Sequence, residues 1–252
     1  MMTTHRSMTA AALLLLLAPW SAVSVRADEA EDKAVEAIEK MGGRFTRDMN
    51  AKGKPIVGVH LQGHKVTDAR LKHLAGLKQL QTLNLSYNNV TGAGLKHLAG
   101  LKQLQKLNIS HNDKVTDAGL KHLAELKQLQ ELDLGHSKVT DAGLKHLAGL
   151  KQLQKLNLYG AKVDAGLKHL SGLKQLQYLN LYGTQVTDAG LKHLAGLKQL
   201  QELLLGSTKV TDPGLKHLAG LKQLRFLNLS NTKVTDKGKA DLKKALPELF
   251  IQ

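Results

Sequence analysis

The sequence predicts an α/β solenoid, a curved parallel β-sheet on the concave side with short helices on the convex side, and three observations point to it. A segment of about 24 residues recurs: Leu77–Gly100 reads LKQLQTLNLSYNNVTGAGLKHLAG and Leu173–Gly196 reads LKQLQYLNLYGTQVTDAGLKHLAG. A fixed period of roughly 20 to 29 residues with leucines at set offsets marks stacked repeats, none of which buries its apolar face alone. Within one unit, Leu83 and Leu85 alternate at the strand period of two, whereas Gly94–Leu101 places leucines three apart, as a short helix needs. Aromatic residues make up only 3% of the chain against 42% hydrophobic residues, so the core must be built from aliphatic side chains.

In chain order, residues 1–27 read as a signal peptide. Arg6 gives a positive start, Ala11–Leu17 is an apolar run too short to span a bilayer, and Val25-Arg26-Ala27 resembles a processing site, so cleavage is expected after Ala27. No later segment is apolar enough to cross a membrane, so no transmembrane anchor is expected after cleavage. Residues 28–55 read as an N-terminal cap. Ala34, Ala37, Ile38 and Met41 lie at helical spacing, Gly42-Gly43 ends that helix, and Arg44–Met49 reads as a short strand. Residues 56–236 hold about eight repeats, with strands expected at residues 57–61, 82–85, 106–109, 131–134, 155–158, 178–181, 202–205 and 226–229. At a strand spacing of about 4.8 Å these make a sheet roughly 35 Å long. Residues 237–252 form the C-terminal cap, with Leu242, Ala245, Leu246, Leu249, Phe250 and Ile251 as an apolar plug over the last unit.

Leu77, Leu80, Leu83, Leu85, Val90, Leu95 and Leu98 fall on the apolar positions of the leucine-rich repeat, which the chain resembles over residues 56–252. Its VTDAGL segment is similar to that of leucine-rich repeat proteins exported by bacteria. The resemblance implies a binding scaffold, and it implies an asparagine after each strand whose amide ties neighbouring loops together. That position holds Asn88 and Asn112 early but Ser137, Ala161, Thr184, Thr208 and Thr232 later, and Ala161 can neither donate nor accept. Unit five is also one residue short, through Lys162–Leu167, so local loosening is expected there.

The formal net charge is +15, and cleavage after Ala27 leaves +13. The recurring LKHL places Lys72, Lys96, Lys121, Lys145, Lys168, Lys192 and Lys216, each with a following histidine, on the convex side. The chain has no cysteine, which removes disulfides, cysteine-ligated metals and thiol nucleophiles. Histidines on stacked units point parallel rather than converging on one ion, so no metal site is expected, and their imidazoles should instead charge together near a pKa of about 6.5. No nucleophile elbow, phosphate loop or metalloprotease helix occurs, so no enzyme, catalytic residue or cofactor is expected.

What varies between units is the outward row of the strands and the residues just beyond. All four tyrosines lie in this window, and tyrosine suits interfaces because it combines large contact area with a polar tip. The expected binding site centres on Tyr159, Tyr178 and Tyr182 as one aromatic patch. Around it stand Lys155, Glu131, Glu202, Lys106, Tyr87, His111, His136 and Phe226. The sequence thus reads as an exported monomer whose concave sheet binds another protein. The alternative is a basic adhesion module that binds acidic polysaccharide, anionic lipid or another polyanion through its convex lysines.

Overall fold

The computed structural model describes residues 20–252, with side chains described from Glu29 onward. Ten strands form one sheet in strict chain order. They are β1 (Arg44–Arg47), β2 (Ile56–His60), β3 (Thr82–Asn84), β4 (Lys106–Asn108), β5 (Glu131–Asp133), β6 (Lys155–Asn157), β7 (Tyr178–Asn180), β8 (Glu202–Leu204), β9 (Phe226–Asn228) and β10 (Phe250–Ile251). All pairings from β2 to β10 are parallel, and β1 runs antiparallel to β2. The strands of units two to eight start where the leucine spacing places them and end one residue earlier. The caps supply the two strands beyond the eight repeats.

Parallel register puts each unit's central leucine beside its counterpart, as in Leu107, Leu132, Leu156 and Leu179. None of these four is more than 2% exposed. Burying a leucine is worth about 1.5–3 kcal/mol, and here its lateral neighbours in the sheet belong to other units. Short α and 3-10 turns cover the opposite side and carry the LKHL residues.

The strand-to-helix turns account for letters that leucine packing leaves unexplained. Asp68 accepts from the backbone N–H of Thr91 at 2.8 Å and from its hydroxyl at 2.6 Å. Asp117 holds Thr140 in the same way, Asp188 holds Thr211, and Asp212 holds Thr235. The same carboxylate oxygen lies where a Cβ would project from the next unit's Gly94, Gly143, Gly214 or Gly238. The Thr, Asp and Gly of VTDAGL are therefore parts of one joint between neighbours. In unit two Gly92 replaces the aspartate, and its backbone lies so close to Gly119 that a Cβ on Gly119 would run into Gly92 Cα.

Unit five, which lacks the threonine, keeps the joint by a different route. Asp164 donates its N–H to Asp141 Oδ1 at 2.7 Å, and its own carboxylate receives Thr187. Its turn, Ala165–Leu170, is wholly 3-10. Ala161 is buried at 1% exposure and its N–H bonds to Leu158 at 3.0 Å, so the packing shows no counterpart to the expected loosening.

Earlier in the same turns, Asn88 donates to Leu61 O of the preceding unit and accepts from that unit's Val66 N–H. Asn112 repeats both bonds one unit on, with Leu85 and Val90. Thr184, Thr208 and Thr232 donate within their own units, to Leu181, Leu205 and Leu229. Between the two groups, the buried Ser137 hydroxyl has no partner.

The N-terminal helix, Trp20–Lys40, runs through the expected cleavage position at Ala27, while the apolar run 11–17 lies outside the described residues. Its buried anchors, Ala34 and Ile38, and the Glu31–Arg47 ion pair all follow Ala27. At the other end the helix Asp236–Ala245 starts at Thr235, whose hydroxyl accepts from Gly238 N–H. Leu242, Leu246 and Leu249 plug the core. Phe250 was expected in that plug but is 61% exposed, because the alternation of β10 turns its ring to the side that carries Phe226.

Candidate functional site

The first and third residues of each three-residue strand point away from the leucine core, and those of β3 to β6, with Tyr178 and Glu202, line a concave trough of about 630 Å³. Lys106, Glu131, Lys155, Tyr178 and Glu202 occupy its first row, on five adjacent strands. Glu131 lies between two lysines, 2.9 Å from Lys106 Nζ and 3.3 Å from Lys155 Nζ. Burial works to raise its pKa, but the Lys106 hydrogen bond and the charges of Lys106 and Lys155 outweigh it and hold the carboxyl below its usual range. Tyr178 is half-buried in the wall, and that burial raises its pKa against a hydrogen bond from Asn180.

The third residue of the strand folds the chain out of the sheet. The Oδ1 atoms of Asn84, Asn108, Asp133, Asn157, Asn180 and Asn228 each accept the N–H two residues on, at 2.9–3.0 Å. Such a turn mimics a backbone turn with a side-chain acceptor. It lifts the following residues onto the rim of the trough.

That rim carries a continuous row of rings. Tyr87 stacks on His111 at 4.0 Å between centroids, His111 meets His136 at 4.2 Å, His136 meets Tyr159 at 4.6 Å, and Tyr159 stacks on Tyr182 at 5.5 Å. The first three rings stand on left-handed backbone, with φ of 57°, 53° and 54°, at a position filled by Gly160 and Gly183 in the next two units. A left-handed residue with a side chain costs about 1–2 kcal/mol, whereas glycine adopts the conformation freely. Tyr159 and Tyr182 come from the residue just before. The ring therefore moves one position along the chain and the glycine takes its place, yet the row stays unbroken. Each ring pair recovers about 0.5–1.5 kcal/mol beyond its buried area.

The structure divides the expected patch. Tyr159 and Tyr182 adjoin, but Tyr178 belongs to the first row in the trough wall and is in no ring pair with either. Phe226 is separate again, stacked on Phe250 at 5.8 Å. Tyr87, His111 and His136, expected as flanking residues, instead belong to the same row as the two central tyrosines. The clue was present in the sequence as a pairing of one ring with one small residue: Ser86-Tyr87, Ser110-His111, Gly135-His136, Tyr159-Gly160 and Tyr182-Gly183.

Burial lowers the pKa of three histidines. Desolvation lowers the pKa of His111, helped by the charge of His136 and opposed by Asp133 and Asp113. On the convex side desolvation lowers His122, with Lys121 and Lys96 adding to it, and lowers His193, with Lys192 and Lys168 adding. Part of the convex positive charge has a structural use. The second lysine row reaches helix-end carbonyls of the next unit, Lys174 to Gly196, Lys198 to Gly220 and Lys222 to Ala245. The first row, including Lys121, Lys145 and Lys168, is exposed. Among the described residues no three His, Asp or Glu side chains gather as metal ligands, and no helix is long and apolar enough to cross a membrane.

An open parallel solenoid with a lined concave trough defines a repeat scaffold. Leucine rich repeat models match residues 58–113 and 127–148. A leucine-rich repeat protein of Leptospira interrogans is 30% identical with a TM-score of 0.62, over 72% of this chain and 45% of that one. Internalin C2 of Listeria monocytogenes is 25% identical with a TM-score of 0.64, over 88% of this chain and 92% of that one. This chain thus spans less than half the length of the Leptospira protein. No curated protein matches it. The chain belongs to the leucine-rich repeat family, whose members are in general protein-interaction scaffolds and typically not enzymes.

Proposed function

We propose that the protein is exported, is processed after Ala27, and binds another protein through its concave trough and ring-lined rim. The observation that carries the binding site is the row from Tyr87 to Tyr182. Three of its rings occupy a backbone conformation that glycine adopts freely in the next two units, and the row borders the trough along five consecutive repeats. Placing rings there raises the conformational cost, and backbone held in such regions concentrates at functional sites. Export is supported by the composition of residues 1–27 and by the position of the cap's anchors after Ala27.

The test is capture of a partner from envelope and secreted fractions, followed by affinity measurements on two variants. Tyr159→Ala with Tyr182→Ala should weaken binding by about 2 kcal/mol or more, as truncation of central interface aromatics does. Changing Lys121, Lys145 and Lys168 to Gln should leave it nearly unchanged. The opposite result would transfer the function to the convex lysines and a polyanion. N-terminal sequencing of native protein should begin at Asp28, and an intact Met1 would remove the export reading.

A further inference from the structure

Unit four carries Asp133 where Asn84, Asn108, Asn157, Asn180 and Asn228 stand in five other units. The turn does not require the change, since carboxylate and amide oxygens alike accept the N–H two residues on, at 2.9 Å for Asp133 and 3.0 Å for Asn157. What changes is the second atom. An NH₂ donor at the trough becomes a charged oxygen that can only accept. On β8, Glu202 is exposed and, like Asp133, has no ion-pair partner among the described residues, while both lysines of the trough engage Glu131. From β4 to β8 the two outward rows therefore hold two lysines and three carboxylates, in a chain whose net charge is +15.

Asp133, third on β5, and Glu202, first on β8, stand three strands apart and two residues apart along them, about 16 Å in all at the ~4.8 Å spacing of paired strands. Asn157 and Tyr178 occupy the two strands between them. We infer that the trough takes an extended segment of a partner protein, laid across the strands, with two basic side chains four residues apart that pair with Asp133 and Glu202. An extended chain rises about 3.3–3.4 Å per residue, so positions i and i+4 lie on one side roughly 13–14 Å apart, and the long, flexible Lys or Arg side chains of a segment crossing the strands obliquely reach the remaining few ångströms. The amide of Asn157 supplies a donor for the segment's carbonyls between the two charges. A polyanion would meet repulsion from both carboxylates. This assignment rests on the concave-face reading above and specifies the partner's chemistry.

The test uses the full chain as bait for short linear random peptides displayed on phage, beside Asp133→Asn with Glu202→Gln. The first change installs the residue that five other units use and so preserves the turn, and the second lies on an exposed side chain. Peptides selected on the parent should share Lys or Arg at i and i+4. That preference should disappear on the double variant, which should bind the selected peptides about tenfold more weakly. Peptides that are acidic, that lack the spacing, or that keep their basic pair on the double variant would overturn the inference, as would the absence of any enrichment. Peptides without the basic pair that are nevertheless lost on Tyr159→Ala with Tyr182→Ala would overturn the inference and leave the concave reading standing.

Discussion

Two sets of positions recur along the solenoid, the turn joint and the rim, and they differ in what they tolerate. In the turn joint the same letters return, Thr, Asp and Gly, because the partner of each is the next copy of the same motif. An aspartate lost in one unit strands the threonine of its neighbour, and a side chain added to the neighbour's glycine would run into that carboxylate. On the rim, the residue that stacks in one unit is Tyr, in the next His, and beyond the row Ser207 and Asn231 stand on the same left-handed backbone without rings. Self-complementarity fixes a repeat sequence. Where contact with the neighbour is between broad ring faces, or is absent, the letters are free to vary, and there a recognition surface can differ from unit to unit.

The core should show the largest effect. Leu132→Ala opens a cavity that the units on both sides pack around, and it should cost about 2–5 kcal/mol in denaturant melts. A loss under about 0.5 kcal/mol would place Leu132 outside the core. Next comes the joint. Asp164→Ala removes the carboxylate that receives Thr187, and a hydrogen bond to a charged group is worth about 1.5–3 kcal/mol, so destabilisation of about 1–2 kcal/mol is expected. Exposed Lys145→Ala on the convex face should stay within about 0.5 kcal/mol, and equal costs for Asp164 and Lys145 would erase the distinction between the joint and the solvated face.

The rim should matter less for stability than for binding. Tyr159→Ala with Tyr182→Ala breaks two ring contacts and should lower unfolding free energy by about 1 kcal/mol. A loss as large as that of Leu132→Ala would make the row a structural spine. The smallest effect concerns pH. His111, His122 and His193 have folded-state pKa values below 6.5, so the folded chain binds protons less readily than the unfolded one. Their contribution to stability is complete above about pH 6.5 and declines as pH falls through their lowered pKa values. Thermal melts should shift down modestly from pH 7.5 to pH 5.5, and a rise would contradict the lowered values.

Much of this was legible from spacing. Leucines at fixed offsets located the repeat strands to within a residue, because every unit meets the same steric demand. The extra strands β1 and β10 were less visible, since caps occur once and have no second copy to align against. Arg44–Met49 was read as a strand, but Phe250-Ile251 was read as plug, because an apolar run does not reveal which face of a two-residue strand it turns outward. The site was half legible. Tyrosine content marked the concave window correctly, but grouping Tyr178 with Tyr159 and Tyr182 ignored the fold-back after each strand. The oxygens of Asn157 and Asn180 lift the residue two positions on, Tyr159 or Tyr182, onto the rim, while Tyr178 remains on the strand. The ring row itself depended on stacking across units between two different positions of the repeat, which alignment in columns conceals.

The concave reading is tested most directly by hydroxyl-radical footprinting of the full chain with and without its partner, because tyrosine and histidine side chains report from both faces. Rim residues Tyr87, His111, His136, Tyr159 and Tyr182 should be oxidised in the free protein and protected in the complex, while exposed convex His73 and His217 react equally in both. Protection of His73 and His217 with an unchanged rim would contradict concave recognition.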